Sequence, residues 1–413
     1  MKWNLPQDLK KIYGETQDSA DRYERLSENF HQAYGKNQME YFSAPGRTEI
    51  IGNHTDHNGG KVIAAAIDKD TIAAAYPDGT EILEIISEGY EQKMTVDLKH
   101  LEQVPHNQGT ISLIAGMAEG IRSMGYKISG FQAYVSSEVI SASGVSSSAS
   151  FEMLICSIIN HFFNEGKMSC MDYARIGQYA ENHFWDKASG LMDQMACAVG
   201  GMILLNFETG ITCSQLSTDF SDFGYEMIII NTGKGHADLN REYSEIPEEM
   251  KKVASEMDVP KLSGSSLKYF LEKLPDIREN INNDRALLRA IHFFEENKRV
   301  ELAENALRLG DGKKLLHLMR ESGKSSWELL QNCYSIHSDW DQKISLSLAL
   351  TELFLKDKTD GCCRVHGGGF AGVIQTIVMK QDRDEYLQYM EKYAGKENIF
   401  PMKIRQYGAV HLK

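Results

Sequence analysis

No stretch of this chain approaches the roughly 20 consecutive apolar residues that a membrane-spanning helix needs. The opening residues Met1-Lys2-Trp3-Asn4-Leu5-Pro6 lack the apolar run of a secretory signal. Positive charge is in deficit, with 44 Lys and Arg against 58 Asp and Glu and a net charge of −14. A chain this acidic does not hold nucleic acid by bulk charge, so any anion it binds must meet a local site. Cysteine is sparse: 7 residues, an odd number, with no C-x-x-C pair. The adjacent Cys362 and Cys363 cannot easily bridge each other. Reduced thiols and a cytoplasmic location are therefore expected. Internal repeats, low-complexity tracts and long linkers are also missing.

What is present is a globular composition, 42% apolar and 25% charged. At about 150 residues per domain, a chain of 413 residues predicts two domains. Val62–Ile67, Glu81–Ile86, Gly130–Val135, Met202–Asn206 and Met227–Ile230 read as strands. Phe151 to Phe163 is apolar at helical length, and a helix there would begin inside the preceding serine run. From about 245 to 356 the pattern is helical. Leu267, Phe270, Leu271 and Leu274 form one stripe of a helix that Pro275 is expected to stop. Strands return around Gly367-Gly368-Gly369. The fold class is α+β, mixed sheets backed by helices, with domains at 1–210 and 211–413.

Three segments carry chemistry. Ser141 to Ser150 (SASGVSSSAS) lies between a strand and an apolar helix. A helix N-terminus offers unpaired N–H groups and about half a positive charge, which suits phosphate; a plain serine-rich cap is the alternative. Gly367 to Gly372 (GGGFAG) is a backbone built to pass close to something, ligand phosphate or another strand. Ala44 to Gly60 (APGRTEIIGNHTDHNGG) packs Arg47, His54, His57, Asp56, Asn53 and Asn58 into a glycine-bounded turn, a density of donors and acceptors that suits a polyhydroxylated ligand. Gly323-Lys324-Ser325 imitates a Walker loop, but Leu318 stands where the first glycine belongs, and the surrounding pattern is helical.

Together and in this order, the three motifs resemble those of the GHMP small-molecule kinases, and among them the galactokinases. Gly46 to Gly60 is similar to Gly-Arg-x-Asn-x-Ile-Gly-Glu-His-x-Asp-Tyr-x-Gly-Gly, and Gly144 to Ala149 to Gly-Leu-Ser-Ser-Ser-Ala. Gly367 to Gly372 resembles the third motif, and Ala180-Glu181-Asn182 precedes Met192-Asp193-Gln194 as in galactokinases. Arg289 to Val300 looks like a further galactokinase segment, so the likeness spans about residues 29 to 410.

The resemblance implies a two-domain GHMP-kinase fold with the active site in the cleft between the domains, and ATP-dependent phosphorylation of a galactose-type sugar at its anomeric hydroxyl. It implies Asp193 as the catalytic carboxylate with Arg47 as its partner, and Gly144, Ser146, Ser147 and Ser148 on the ATP phosphates. Ser148 and Glu181 match the Mg²⁺ positions, and Asn53, His54, Asp56 and Tyr243 the sugar positions; Tyr243 follows His236 at the family's interval of seven. The chain departs from the family at four places. Glu49 and Asn53 stand as though the family's Asn and Glu were exchanged, His57 replaces a Tyr, and His366 replaces the Thr before the triple glycine. The transfer residues are intact while the sugar edge is altered. Galacturonate is therefore an alternative substrate, because Asn53 can donate to a sugar carboxylate and plant galacturonokinases also resemble this chain at His57. N-acetylgalactosamine is a third candidate. On the galactose reading, Asn53→Glu preserves turnover; on the galacturonate reading it sets two carboxylates side by side. A sugar and ATP sensor without activity would disrupt the Ser148-Ala149 step, which is intact.

Overall fold

The computed structural model describes residues 3–14, 17–90, 92–139, 144–185, 190–233, 239–336 and 340–413. Ser141, Ala142 and Ser143 of the serine run, and His236, lie outside the described residues. Two sheets organise the chain. The first contains β1 (Glu40–Ile51), β2 (Lys61–Pro77), β3 (Ile82–Ser87), β4 (Met94–Asp97), β5 (Phe131–Ser137), β6 (Met202–Asn206) and β7 (Thr212–Leu216). The second consists of β8 (Tyr225–Asn231), β9 (Gly361–Val365), β10 (Val373–Met379) and β11 (Ile399–Met402), in the order β11-β8-β10-β9 and antiparallel throughout. The last strand, β12 (Val410–Leu412), returns to pair with β1.

That return, and the β6–β7 hairpin, change the expected division of the chain. Residue 210 falls in the turn between β6 and β7, which both belong to the first sheet, as does β12. The two sheets also share one apolar cluster, in which Ile50, Ile63 and Met202 of the first meet Met227, Ile229 and Ile377 of the second.

β2 runs for 17 residues, well past the expected strand, through Ala64-Ala65-Ala66 and Ala73-Ala74-Ala75. Alanine is a poor strand former in isolation, but burial on both faces of a central strand overrides propensity. The small side chains let helices lie close. The helices of the first half are α1 (Leu9–Tyr13), α2 (Gln17–Tyr34), α3 (Thr110–Ser123), α4 (Ser147–Asn164), α5 (Cys170–Phe184) and α6 (Met192–Val199). Helices α4 and α6 pack on β1 and β2, while α2 packs on β2 and β5 in a separate apolar cluster.

The second half supplies α7 (Asn240–Glu256), α8 (Leu267–Ile281), α9 (Asp284–Leu309), α10 (Gly312–Ser325), α11 (Lys343–Leu355) and α12 (Arg383–Ala394). Pro275 does not stop its helix, which continues to Ile281. A proline removes the hydrogen bond to the carbonyl four residues back, and Leu271 at that place is half exposed, so water can take over. The imitation Walker segment lies within α10, as its pattern implied. No helix among the described residues is long and apolar enough to cross a membrane, and all seven cysteines are free thiols.

Candidate active site

Strand β1 delivers the first group. Its pairing with β2 is interrupted between Pro45 and Arg47 and again between Glu49 and Ile51. Such bulges re-aim side chains, and here they fall on motif residues. Gly46 is required because a Cβ there would lie 2.8 Å from the Val145 carbonyl. That contact brings the serine loop against the strand, and the Arg47 amide donates to the same carbonyl at 3.1 Å.

Arg47 then clamps Asp193 in both directions: Nε donates to Oδ1 at 2.7 Å and Nη2 to Oδ2 at 2.6 Å. The remaining guanidinium nitrogen donates to the Gly144 carbonyl, and Ser146 Oγ donates to Asp193 Oδ2. The Arg47 side chain is 7% exposed, whereas that of Asp193 is 25% exposed, so the carboxylate reaches solvent while its counter-ion does not. Asp193 also stands in the first turn of α6, where the helix end favours negative charge. A bidentate, half-dry carboxylate of this kind stays ionised and keeps one orientation.

Helix α4 starts at Ser147, inside the serine run as expected, with Ser146 before it in the left-handed region at φ 58°. Gly144, Ser147 and Ser148 are half-buried around that N-terminus. Ser148 Oγ donates to Glu181 Oε1 at 2.9 Å, and Gln194 Nε2 donates to Glu181 Oε2 at 3.2 Å. Glu181 is almost wholly buried. Two hard oxygen donors from α4 and α5, touching each other beside a phosphate-type loop, suit Mg²⁺ by their chemistry.

The turn after β1 gathers the residues expected at the sugar. His54, also left-handed at φ 57°, donates through Nε2 to the Gly368 carbonyl at 3.0 Å. Burial and then His57 push its pKa down to about 4, so the ring is neutral. Asp56 Oδ2 lies against the backbone of Gly190, just before Asp193. Tyr243 on α7 donates to the Gly369 carbonyl at 2.9 Å and covers Gly368 so closely that no side chain fits there. Phe370, left-handed at φ 59°, meets the Tyr243 ring edge-on. Three strained non-glycine residues, His54, Ser146 and Phe370, thus come one from each motif, as strain held at a working site does.

Asn53, expected among the sugar contacts, has no exposed surface. Its Nδ2 donates to the Gly367 carbonyl at 2.6 Å and to both Glu49 oxygens at 3.2 and 3.3 Å. Its Oδ1 accepts from Asn332 at 2.8 Å and from Ser326 at 3.3 Å. Every polar valence of the amide is used inside the protein. Glu49 is likewise buried and ion-paired with Arg364.

Some supporting residues were not singled out in the sequence. Glu296 on α9 accepts the backbone N–H groups of Gly52 and Asn53 at 2.9 and 3.3 Å, and also takes Ser322 and Arg299. His292, one turn earlier, donates to the Asn53 carbonyl at 2.9 Å. The second half of the chain thereby grips the turn of the first. The Arg289–Val300 segment held that signal without showing what it would touch. Gln194 was visible only as a neighbour of Asp193, and Arg364 only as two residues before His366.

An α+β fold of two helix-backed sheets, with a serine loop at a helix N-terminus beside an Arg-clamped aspartate, defines a small-molecule kinase of the GHMP type. A model of the GHMP kinases N terminal domain matches residues 112–201. The galactokinase of Clostridium tetani is 29% identical over 368 residues, 87% of this chain and 89% of that relative. The galactokinase of Lactococcus lactis (strain IL1403) is 30% identical over 366 residues, 86% of each chain. A galactokinase galactose-binding signature matches residues 28–77. The chain belongs to the galactokinase family. In structure it matches Lactococcus lactis galactokinase complexed with galactose at a TM-score of 0.81 and 24% identity, over 95% of this chain and 100% of that one. Methanococcus jannaschii mevalonate kinase matches at 0.63 and 15%, over 89% and 99%.

Proposed function

We propose that this enzyme is a galactose 1-kinase, transferring the γ-phosphoryl group of ATP to the anomeric hydroxyl of galactose. The observation that carries the reading is the bidentate Arg47–Asp193 pair, fastened through Ser146 and Gly144 to the loop that opens α4. Phosphoryl transfer demands positioning and charge neutralisation more than a strong base. Asp193 orients the sugar hydroxyl and takes its proton as the new P–O bond forms. Arg47 keeps that carboxylate ionised and facing one way. The backbone N–H groups of Ser147 and Ser148 and the dipole of α4 receive phosphate oxygens. His54, Asp56 and Tyr243 surround the sugar.

Ser148 and Glu181 hold Mg²⁺ in this reading, and the ion, when bound, neutralises charge on the phosphates. The substrate remains galactose because the exchanged pair is engaged inside the protein: Glu49 and Asn53 bond to each other, Glu49 also to Arg364, and Asn53 also to Gly367, Ser326 and Asn332. Galacturonate therefore gains no partner from Asn53. The free thiols fit a reducing, cytoplasmic compartment. The test is ADP release with ATP and Mg²⁺ on a panel of galactose, galacturonate and N-acetylgalactosamine, with the product identified as the 1-phosphate. Galacturonate turned over tenfold better than galactose in kcat/KM would overturn the substrate and leave the kinase.

A further inference from the structure

His366, between β9 and the triple glycine, is 2% exposed and its bonding defines its tautomer. The Glu49 amide donates to its Nε2 at 3.1 Å. Thr48 Oγ1 lies 2.9 Å from the same nitrogen and itself accepts from Gln375 at 2.8 Å, so its single proton points at His366. A nitrogen that receives two donors carries no proton, and the ring proton therefore sits on Nδ1. Nδ1 is buried and has no partner among the described residues. It faces the phosphate loop, where a Cβ on Gly144 would come within 3.5 Å of it. Gly144 is the residue whose carbonyl holds Arg47, which in turn clamps Asp193.

Two side-chain donors beside this loop are already committed. Arg47 is spent on Asp193 and Gly144, and the Ser146 hydroxyl on Asp193. A buried N–H left over beside an anion-receiving loop calls for an oxygen acceptor supplied by the ligand.

We propose that His366 is a catalytic residue whose Nδ1–H donates to a non-bridging oxygen of the transferring γ-phosphoryl group. The inference rests on the kinase reading above. The ring neither gives nor takes a proton: the β–γ bridging bond breaks toward ADP, the sugar oxygen bonds to phosphorus, and its proton goes to Asp193. Burial, with Arg47 and Arg364 nearby, pushes the imidazole pKa well below its usual range, so the donor stays neutral. A neutral donor stabilises the three charged oxygens without pulling Asp193 away from Arg47.

The two nitrogens can be tested apart. Asparagine overlays Nδ1 and keeps a donor there while losing the acceptor; glutamine overlays Nε2 and keeps the acceptor while losing the donor. His366→Gln is expected to hold its Tm near that of the native protein and lose about 10- to 100-fold in kcat. His366→Asn is expected to melt lower yet retain several times more kcat than the glutamine variant. The opposite order, or losses in both that simply follow Tm, would assign His366 to anchoring Thr48 and Glu49 alone and overturn the proposal. In the native protein, the ¹⁵N resonance of His366 Nδ1 should move when ADP, aluminium fluoride, Mg²⁺ and galactose are added together, and much less with ADP and Mg²⁺. A resonance that does not move also overturns it. Native turnover of galactose with ATP is measured alongside: if that is missing, the kinase reading has failed, whereas native turnover with indifferent variants fails His366 only.

Discussion

Arg364 on β9 and Glu49 on β1 pair at 2.7 Å with side chains 0% and 4% exposed, joining the two sheets through a dry ion pair. Burial pushes the Glu49 carboxyl up against the pull of Arg364, and Asn53 donates to both carboxylate oxygens. The exchanged Glu49 and Asn53 are thus two ends of one contact.

Asn53→Glu would set a second carboxylate against Glu49 and remove the donor to Gly367. We expect a stability loss of about 2–4 kcal/mol and lower galactose turnover, rather than the preserved turnover that the sequence alone suggests. Glu49→Asn strands Arg364 and should cost about 3 kcal/mol or more. The double variant returns the cluster to one acid and one Arg, and should recover at least half of the summed losses. Denaturant midpoints decide: a double variant no better than the sum of its parents would break the coupling argument.

Asp193→Asn should still fold but melt lower, because Arg47 stays buried without its counter-charge, and should lower kcat by about 10²-fold or more, since the proton acceptor is gone. Native-like kcat in this variant would remove Asp193 from the mechanism.

Activity should vanish in EDTA and return with Mg²⁺ or Mn²⁺. Glu181→Gln should raise the metal concentration needed for half-maximal rate, and Ser148→Ala should do the same more weakly, because water can stand in for a neutral ligand. Metal titrations that superimpose on the native curve would reassign both residues to structure.

Acid should weaken the fold through two carboxylates. Asp70 would be raised by burial, but Arg22 and Arg405, with Ser43 and Tyr13 donating, hold it at about 2. Glu296 is held at about 2 in the same way, against burial, by Arg299, His292 and Arg364. Folded values below unfolded ones mean stability that is complete above about pH 5 and lost as pH falls toward about 2. For Asp70 the effect is about 2 kcal/mol. Asp70→Asn should destabilise the neutral protein by about 3 kcal/mol or more, because Arg22 and Arg405 stay buried. It should also flatten the fall in denaturant midpoint below about pH 4. Parallel acid curves for variant and native protein would show that Asp70 is not the titrating group.

The sequence by itself determined which side chains could do chemistry, because short motifs carry their geometry locally. Ser147 opens α4 inside the serine run, and Arg47, Ser148, Glu181 and Asp193 lie in segments whose order announced the family. Strands such as Met202–Asn206 were legible from their apolar runs. Local pattern failed where distant contacts decide. The alanines of β2 look indifferent until burial on both faces makes them strand, and Pro275 looks like a stop, yet its helix runs on to Ile281 with Leu271, four residues back, half exposed. Read along the chain, Asn53 belonged to the sugar edge. Only the tertiary structure turned it inward, because Glu49, Gly367, Ser326 and Asn332 satisfy its amide from segments four to 314 residues away. The free donor of His366 is of the same kind: a residue type is local, but which nitrogen carries the proton depends on what the rest of the chain brings to the ring.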